Sequence, residues 1–253
     1  EADPSVEVER HLFGISANSS AMTSHGIIQK NQFVILESLV GRFSIWSSVS
    51  LPAFVNTNFD SYLSFLEGGN LADRHTASNP WKDNISVVMA LLSIWNSNSL
   101  HINNHAIFTY NFRLRSFTKY IAQLGMESNG KTVNFESEIS PFASSPLIWG
   151  GYGIESQHST FQWLLQAKTE SSCDFIGVND GNNESKDSYK TVLSQVVAVT
   201  QGEDNNIDLY KSVRGNNPSS VLTLNSLDLK SLGYLIALYE NKTFIESLIL
   251  GID

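Results

Sequence analysis

Apolar residues fall along this chain in two rhythms. Four runs of strand length are nearly continuous in apolar residues and bounded by turn formers: "HAIFTYN" (105–111), "SPLIWGG" (145–151), "CDFIGVN" (173–179) and "SSVLTLN" (219–225). Each is followed by a stretch with helical spacing, at about 112–125, 155–168, 186–202 and 228–249. Strands apolar on both faces, separated by amphipathic helices, predict a parallel sheet with helices on both faces, an α/β three-layer (flavodoxin-like) architecture. Ligands of such sheets collect at the carboxyl ends of the strands, where the loops after Asn111 and Gly151 are expected.

The first part of the chain is less regular. "HLFGIS" (11–16) reads as a strand, and residues 31–56 mix helical spacing with Gly41 and Pro52, which predicts two short helices. Longer helices are expected over 58–72 and 81–97, the second with Asn79 as N-cap and Pro80 at its first position. The polar stretches 180–187 and 202–218 read as surface loops, and no repeat or heptad pattern interrupts the scheme.

Composition narrows the function classes. A net charge of −9 over 253 residues argues against nucleic acid as a partner, since phosphate neutralisation needs clustered Lys and Arg. It leaves room for a small phosphorylated ligand. The single cysteine, Cys173, allows no intrachain disulfide and suits a reducing compartment. No apolar run approaches the ~18 residues of a membrane span, and the acidic start "EADPSVEVER" has no signal-peptide core. The Asn-x-Ser/Thr triplets at Asn18, Asn84, Asn183 and Asn241 then read as chance, and a cytoplasmic location is expected.

Three places could carry chemistry. In "WGGYGIESQHSTFQWLLQ" (149–166), a glycine-rich strand end runs into a helix expected to hold His158 in its first turn, with Phe161 and Leu165 on the same face. Glycines allow close backbone approach, and a helix start favours an electron-rich group. A tight turn with a capping histidine explains the same residues. In "QLGMESNGK" (123–131), Gln123 stands one turn before Glu127 near a helix end. A carboxylate mounted there could shuttle a proton, or simply precede a Gly C-cap. Arg42, in the apolar setting "VGRFSIW", could hold a ligand or pair with a carboxylate. The His101/His105 pair has zinc-helix spacing, but "HINNH" lacks the glutamate and reads as loop. Neither a G-x-S-x-G elbow nor a P-loop is present.

Together these stretches resemble the glucose-6-phosphate isomerase family. "VGRFSIWSSVSL" (40–51) is similar to its G-G-R-[FY]-S-x-W-S segment, "VVMALLSIW" (87–95) to its buried helix, and "QLGMESNGK" to its M-E-S-N-G-K. Residues 149–166 resemble W-G-x-x-G-T-N-x-Q-H-x-x-x-Q-L, while "RGNNPSSVL" (214–222) and "LGYLIALYENKTF" (232–244) resemble later family segments. The resemblance implies an aldose–ketose isomerase of glycolysis and gluconeogenesis with a sugar-isomerase fold. It places Glu127 as the base moving a proton between sugar carbons 1 and 2, His158 at ring opening, Arg42 on the cis-enediolate, and Gln123 and Gly41 against the sugar phosphate. It implies no metal and no organic cofactor, and a homodimer in which the histidine crosses the interface.

The departures are Val40 for a family glycine and Ile154-Glu155 for Thr-Asn. The family's Ser/Thr-rich phosphate loop and a later catalytic lysine have no counterpart, "SANSS" (16–20) falling in the wrong place. The expectation is therefore a carboxyl-terminal part. Residues 1–56 would be the tail of a preceding domain with connecting helices, and 57–253 the α/β domain, poorly active by itself without the missing amino-terminal domain. A non-catalytic sugar-isomerase-fold module that binds a ligand or protein is the competing reading.

Overall fold

The computed structural model describes residues 10–205 and 207–252. The signal-peptide expectation on the first residues lies largely outside them. The chain divides into two compact units, up to Leu63 and from Ser64 on, each described separately.

The first unit contains β1 (Gly14–Ser16), α1 (Ser19–Ser24) and β2 (Gln32–Val34), with β1 and β2 paired in parallel, Gly14 opposite Gln32. Asn18 caps α1, its side chain accepting from Ala21 N at 2.9 Å. After β2 come 3-10 turns at Gly41–Trp46 and Ser48–Ser50 and the one-turn α2 (Leu51–Phe54). Of the two short helices expected over 31–56, the structure has 3-10 segments and the single turn α2, and the stretch begins with a strand instead. Phe33 and Val34 are exposed, so this edge strand lacks the one-sided burial that produces a readable alternation.

Helix α3 (Phe59–Ser78) crosses the unit boundary and outlasts the expected 58–72. The next helix starts later than Pro80 suggests. Trp81–Asp83 form a 3-10 turn, and α4 (Ile85–Ile94) is capped by Asn84, whose Oδ1 accepts from Val87 N while its Nδ2 donates to Thr76 O. A π-helical turn, Trp95–Ser99, ends it.

The second unit is then built on β3 (Asn104–Thr109), α5 (Phe117–Asn129), β4 (Leu147–Tyr152), α6 (Gly153–Ser156), α7 (Phe161–Gln166), β5 (Ser172–Val178), α8 (Asn183–Gln201), β6 (Ser219–Leu224) and α9 (Leu229–Leu250). The four strands form one parallel sheet in the order β4-β3-β5-β6. Central strands β3 and β5 are buried almost throughout, which is why their sequences read as continuous apolar runs. Ala106, Phe108, Tyr110, Cys173 and Phe175 pack on one face with Phe161 and Leu164 of α7 and Val192 and Val199 of α8. Alternate residues turn to the other face, where Ile107 O accepts from Thr118 of α5 and Asp174 from Tyr239 of α9. The α/β three-layer class is the one the periodicity predicts. Among the described residues no helix is long and apolar enough to cross a membrane.

Candidate active site

Glu127 stands in the last turn of α5, exposed, with Oε2 accepting from Gln123 Nε2 at 2.9 Å. The i, i+4 spacing puts amide and carboxylate on the same helix face. The helix stops at Gly130, whose N–H donates to Met126 O. Side-chain rotation at Glu127 is thereby restricted while the carboxylate faces outward.

Helix α5 returns antiparallel to β3, so its end lies beside the start of β4. Ile148 N donates to Met126 Sδ at 3.4 Å, and a Cβ on Gly125 would sit 2.5 Å from Ile148 Cδ1. Glu127 is therefore at the amino ends of the strands, opposite to where parallel-sheet ligands usually gather.

His158 is at the other end. The helix expected over 155–168 is broken: α6 spans four residues, 157–160 are a turn carrying His158 exposed, and α7 begins at Phe161. Phe161 and Leu164 anchor α7 in the core, while Leu165 is only half-buried. About 16 Å of strand separates the start of β4 from its end, so the fold of this unit does not bring Glu127 and His158 together. Arg42 and Gly41 begin the 3-10 turn of the first unit, where the guanidinium lies 5.6 Å from the Phe43 ring.

The glycines near His158 serve packing more than ligand approach. A Cβ on Gly150, at φ +117°, would be 2.3 Å from Ile107 O on β3, and one on Gly153 would enter the Tyr110 ring at 2.4 Å. Beside them opens a cleft of about 370 Å³ lined by Arg115, Ser116, Lys119, Gly151, Glu155 and Ser159. Glu155 thus faces a cleft that also holds two cations, Arg115 and Lys119. Spacing alone could not single this cleft out, because its walls come from segments far apart in sequence.

A second polar centre is buried between sheet and helices. His105 Nδ1 meets Ser172 Oγ at 2.8 Å, His105 Nε2 lies 3.1 Å from Asp174 Oδ2, and Tyr239 OH donates to the same carboxylate at 2.9 Å. His101 is on the loop before β3 with φ 58°, so the His101/His105 spacing does not sit on a helix. Burial pushes the Cys173 thiol up to about 12, which keeps it protonated and inert. Among the described residues no three His, Cys, Asp or Glu side chains are grouped to hold a metal ion.

The phosphoglucose isomerase family model matches residues 1–253. The chain belongs to that family. As a phosphoglucose isomerase family member it is 35% identical to the glucose-6-phosphate isomerase of Acinetobacter baumannii over 97% of this chain and 48% of the relative. It is 34% identical to glucose-6-phosphate isomerase 2 of Chromohalobacter salexigens over 98% and 48%. The chain thus spans about half the length of these curated relatives. Among solved structures, a glucose-6-phosphate isomerase from Chlamydia trachomatis superposes with a TM-score of 0.91 at 30% identity, covering 98% of this chain and 50% of that one. A hypothetical protein from Thermus thermophilus shares the fold, with a TM-score of 0.72 at 17% identity.

Proposed function

We propose that this chain is the base-bearing part of a glucose-6-phosphate isomerase, interconverting glucose 6-phosphate and fructose 6-phosphate. The observation that carries the reading is the Gln123–Glu127 pair, restrained on a helix end yet open outward, in a chain that the family matches throughout. Glu127 takes the proton from sugar C2 and returns it to C1, while a proton passes from O2 to O1. The intermediate is a cis-enediol(ate), and the fixed charge of Arg42 favours its oxyanion. Gln123 holds the carboxylate's pose, Gly41 leaves the backbone open to the sugar phosphate, and His158 assists ring opening. No metal or cofactor enters these steps.

Placement of Glu127 and His158 at opposite ends of one sheet supports a homodimer in which each site takes its histidine from the other copy. Half coverage of the relatives supports an amino-terminal domain carrying the phosphate grip, with residues 1–56 as the tail of that domain and 57–253 as the α/β domain. Exposed Phe13 and Phe33, their ring centroids 6.5 Å apart, fit a unit that further chain covers. Alone, the 253 residues are expected to turn over poorly. A cytoplasmic place in glycolysis and gluconeogenesis follows from the same reading.

A coupled assay from fructose 6-phosphate to glucose 6-phosphate, run on the complete polypeptide that contains this chain, tests it. Glu127→Gln should lower kcat by about 10²–10⁴-fold with an unchanged circular dichroism spectrum. Equal turnover in the variant removes Glu127 from the chemistry. An inactive wild type would favour the non-catalytic module, for which Ile154, Glu155 and Val40 are the motivating differences.

A further inference from the structure

The turn that mounts Glu127 is held by a buried polar cluster to which the proposed chemistry assigns no part. Helix ends fray because their last carbonyls lose intrahelical donors, and Glu127 is two residues from the end of α5 at Asn129. Asn129 is 2% exposed. Its Nδ2 donates to Thr243 O at 3.0 Å and points to Glu246 Oε2 at 3.4 Å, and two acceptors on one side fix which end of the amide carries nitrogen. Glu246 Oε1 in turn accepts from Lys242 Nζ at 2.6 Å, with both side chains buried.

The cluster continues into the sheet. Lys242 lines a cavity of about 90 Å³ together with His105 and Asp174, and Asp174 is bonded to Tyr239 on α9. From the other side, β4 holds the same turn through Ile148 and Met126. An ion pair kept out of water is weak support for stability, because a well-packed apolar pair of similar volume does as well or better. What this pair does offer is a directional grip. It orients the Asn129 amide and so locks the last turn of α5 between β4 and α9, leaving the Glu127 carboxylate on the outward side.

We propose that Asn129, backed by the buried Glu246–Lys242 pair, is a positioning residue that holds Glu127 in register with both carbons during proton transfer. The inference rests on the isomerase reading above. Transfer to two neighbouring carbons in turn demands a base that stays in place, and a 1 Å misplacement costs on the order of 10²-fold in rate.

The test compares Asn129→Ala, Glu246→Ala and Glu246→Gln in the complete polypeptide, using glucose 6-phosphate and its C2-deuterated form. Asn129→Ala and Glu246→Ala should each lower kcat by about ten- to a hundredfold, with KM within about twofold, and should enlarge the deuterium isotope effect as proton transfer becomes slower. Made together with Lys242→Met, so that no ammonium faces the new amide N–H groups, Glu246→Gln keeps an oxygen for the Asn129 amide and should recover most of the kcat that Glu246→Ala loses in the same background. A merely structural role would lower the melting temperature while leaving kcat and the isotope effect of the folded enzyme unchanged, and that result would overturn the proposal. If Asn129→Ala does not fold, the contrast between Glu246→Ala and Glu246→Gln, both with Lys242→Met, decides, with equal kcat in the two counting against it. Wild type and Glu127→Gln run alongside separate the two failures. An inactive wild type ends the isomerase reading and this inference with it, whereas an active, Glu127-dependent wild type with unaffected Asn129 and Glu246 variants ends the positioning role alone.

Discussion

At Asp174, burial pushes the carboxyl group up in pKa, but the His105 imidazole, Lys242 and the Tyr239 hydroxyl outweigh burial and hold it below the usual value of 3.8. A folded-state pKa below the unfolded one means that ionised Asp174 stabilises the fold above about pH 4. That contribution disappears as pH falls through the lowered folded value. Asp174→Asn should therefore cost about 1.5–3 kcal/mol at pH 7 and progressively less below pH 4, as read from urea denaturation of both proteins across that range. None of this was legible in the sequence. His105 was visible only as half of an apparent pair with His101, because its actual partners, Ser172 and Asp174, come from another strand, β5. Glu127 and Gln123 are the contrasting case: their contact is one helical turn long, so the spacing contained it.

Among the elements, α3 and α9 approach more closely than side chains normally allow. A Cβ on Gly68 would lie 1.9 Å from Lys230 O, and one on Gly233 would lie 2.1 Å from Phe65 O. Glycine weakens a helix by about 1 kcal/mol relative to alanine, so here it is kept for backbone contact. Gly68→Ala and Gly233→Ala should each destabilise by about 1–3 kcal/mol despite the gain in helix propensity, and thermal unfolding of the single variants would check this. A rise in melting temperature would show that the crossing relaxes freely. The same scale explains which elements could be anticipated. Strands β3 and β5 have a strong local signal because both faces are buried, and α8 and α9 because they are long, whereas the partly buried β4 and β6 show only as short apolar runs between turn residues. The split between α6 and α7 has no local signal, since the turn at 157–160 follows from Phe161 and Leu164 having to reach the core. The late start of α4 reflects the Asn84 bonds to Thr76 and Val87, a tertiary arrangement that outweighs the local preference of Pro80.

For the whole molecule, the separation of Glu127 from His158 leads to a sharp expectation. If each site combines a base from one copy with a histidine from the other, Glu127→Gln and His158→Ala homodimers are both inactive. Denaturing the two variants together and refolding them should yield hybrids with one intact site, and recovery of about a quarter of the wild-type activity from a statistical mixture. Absence of recovery, with hybrids demonstrated by differential tagging, would place both residues of a site in one copy. The sequence by itself determined the parallel three-layer class, the order of its main strands and helices, and the family, because periodicity and motif spacing are properties of contiguous residues. Tertiary structure alone decided the opposite placement of Glu127 and His158, the packing role of Gly150 and Gly153, and the buried cluster behind Asn129. Those depend on which strand lies beside which, and that is set by crossovers and packing between segments that no local pattern relates.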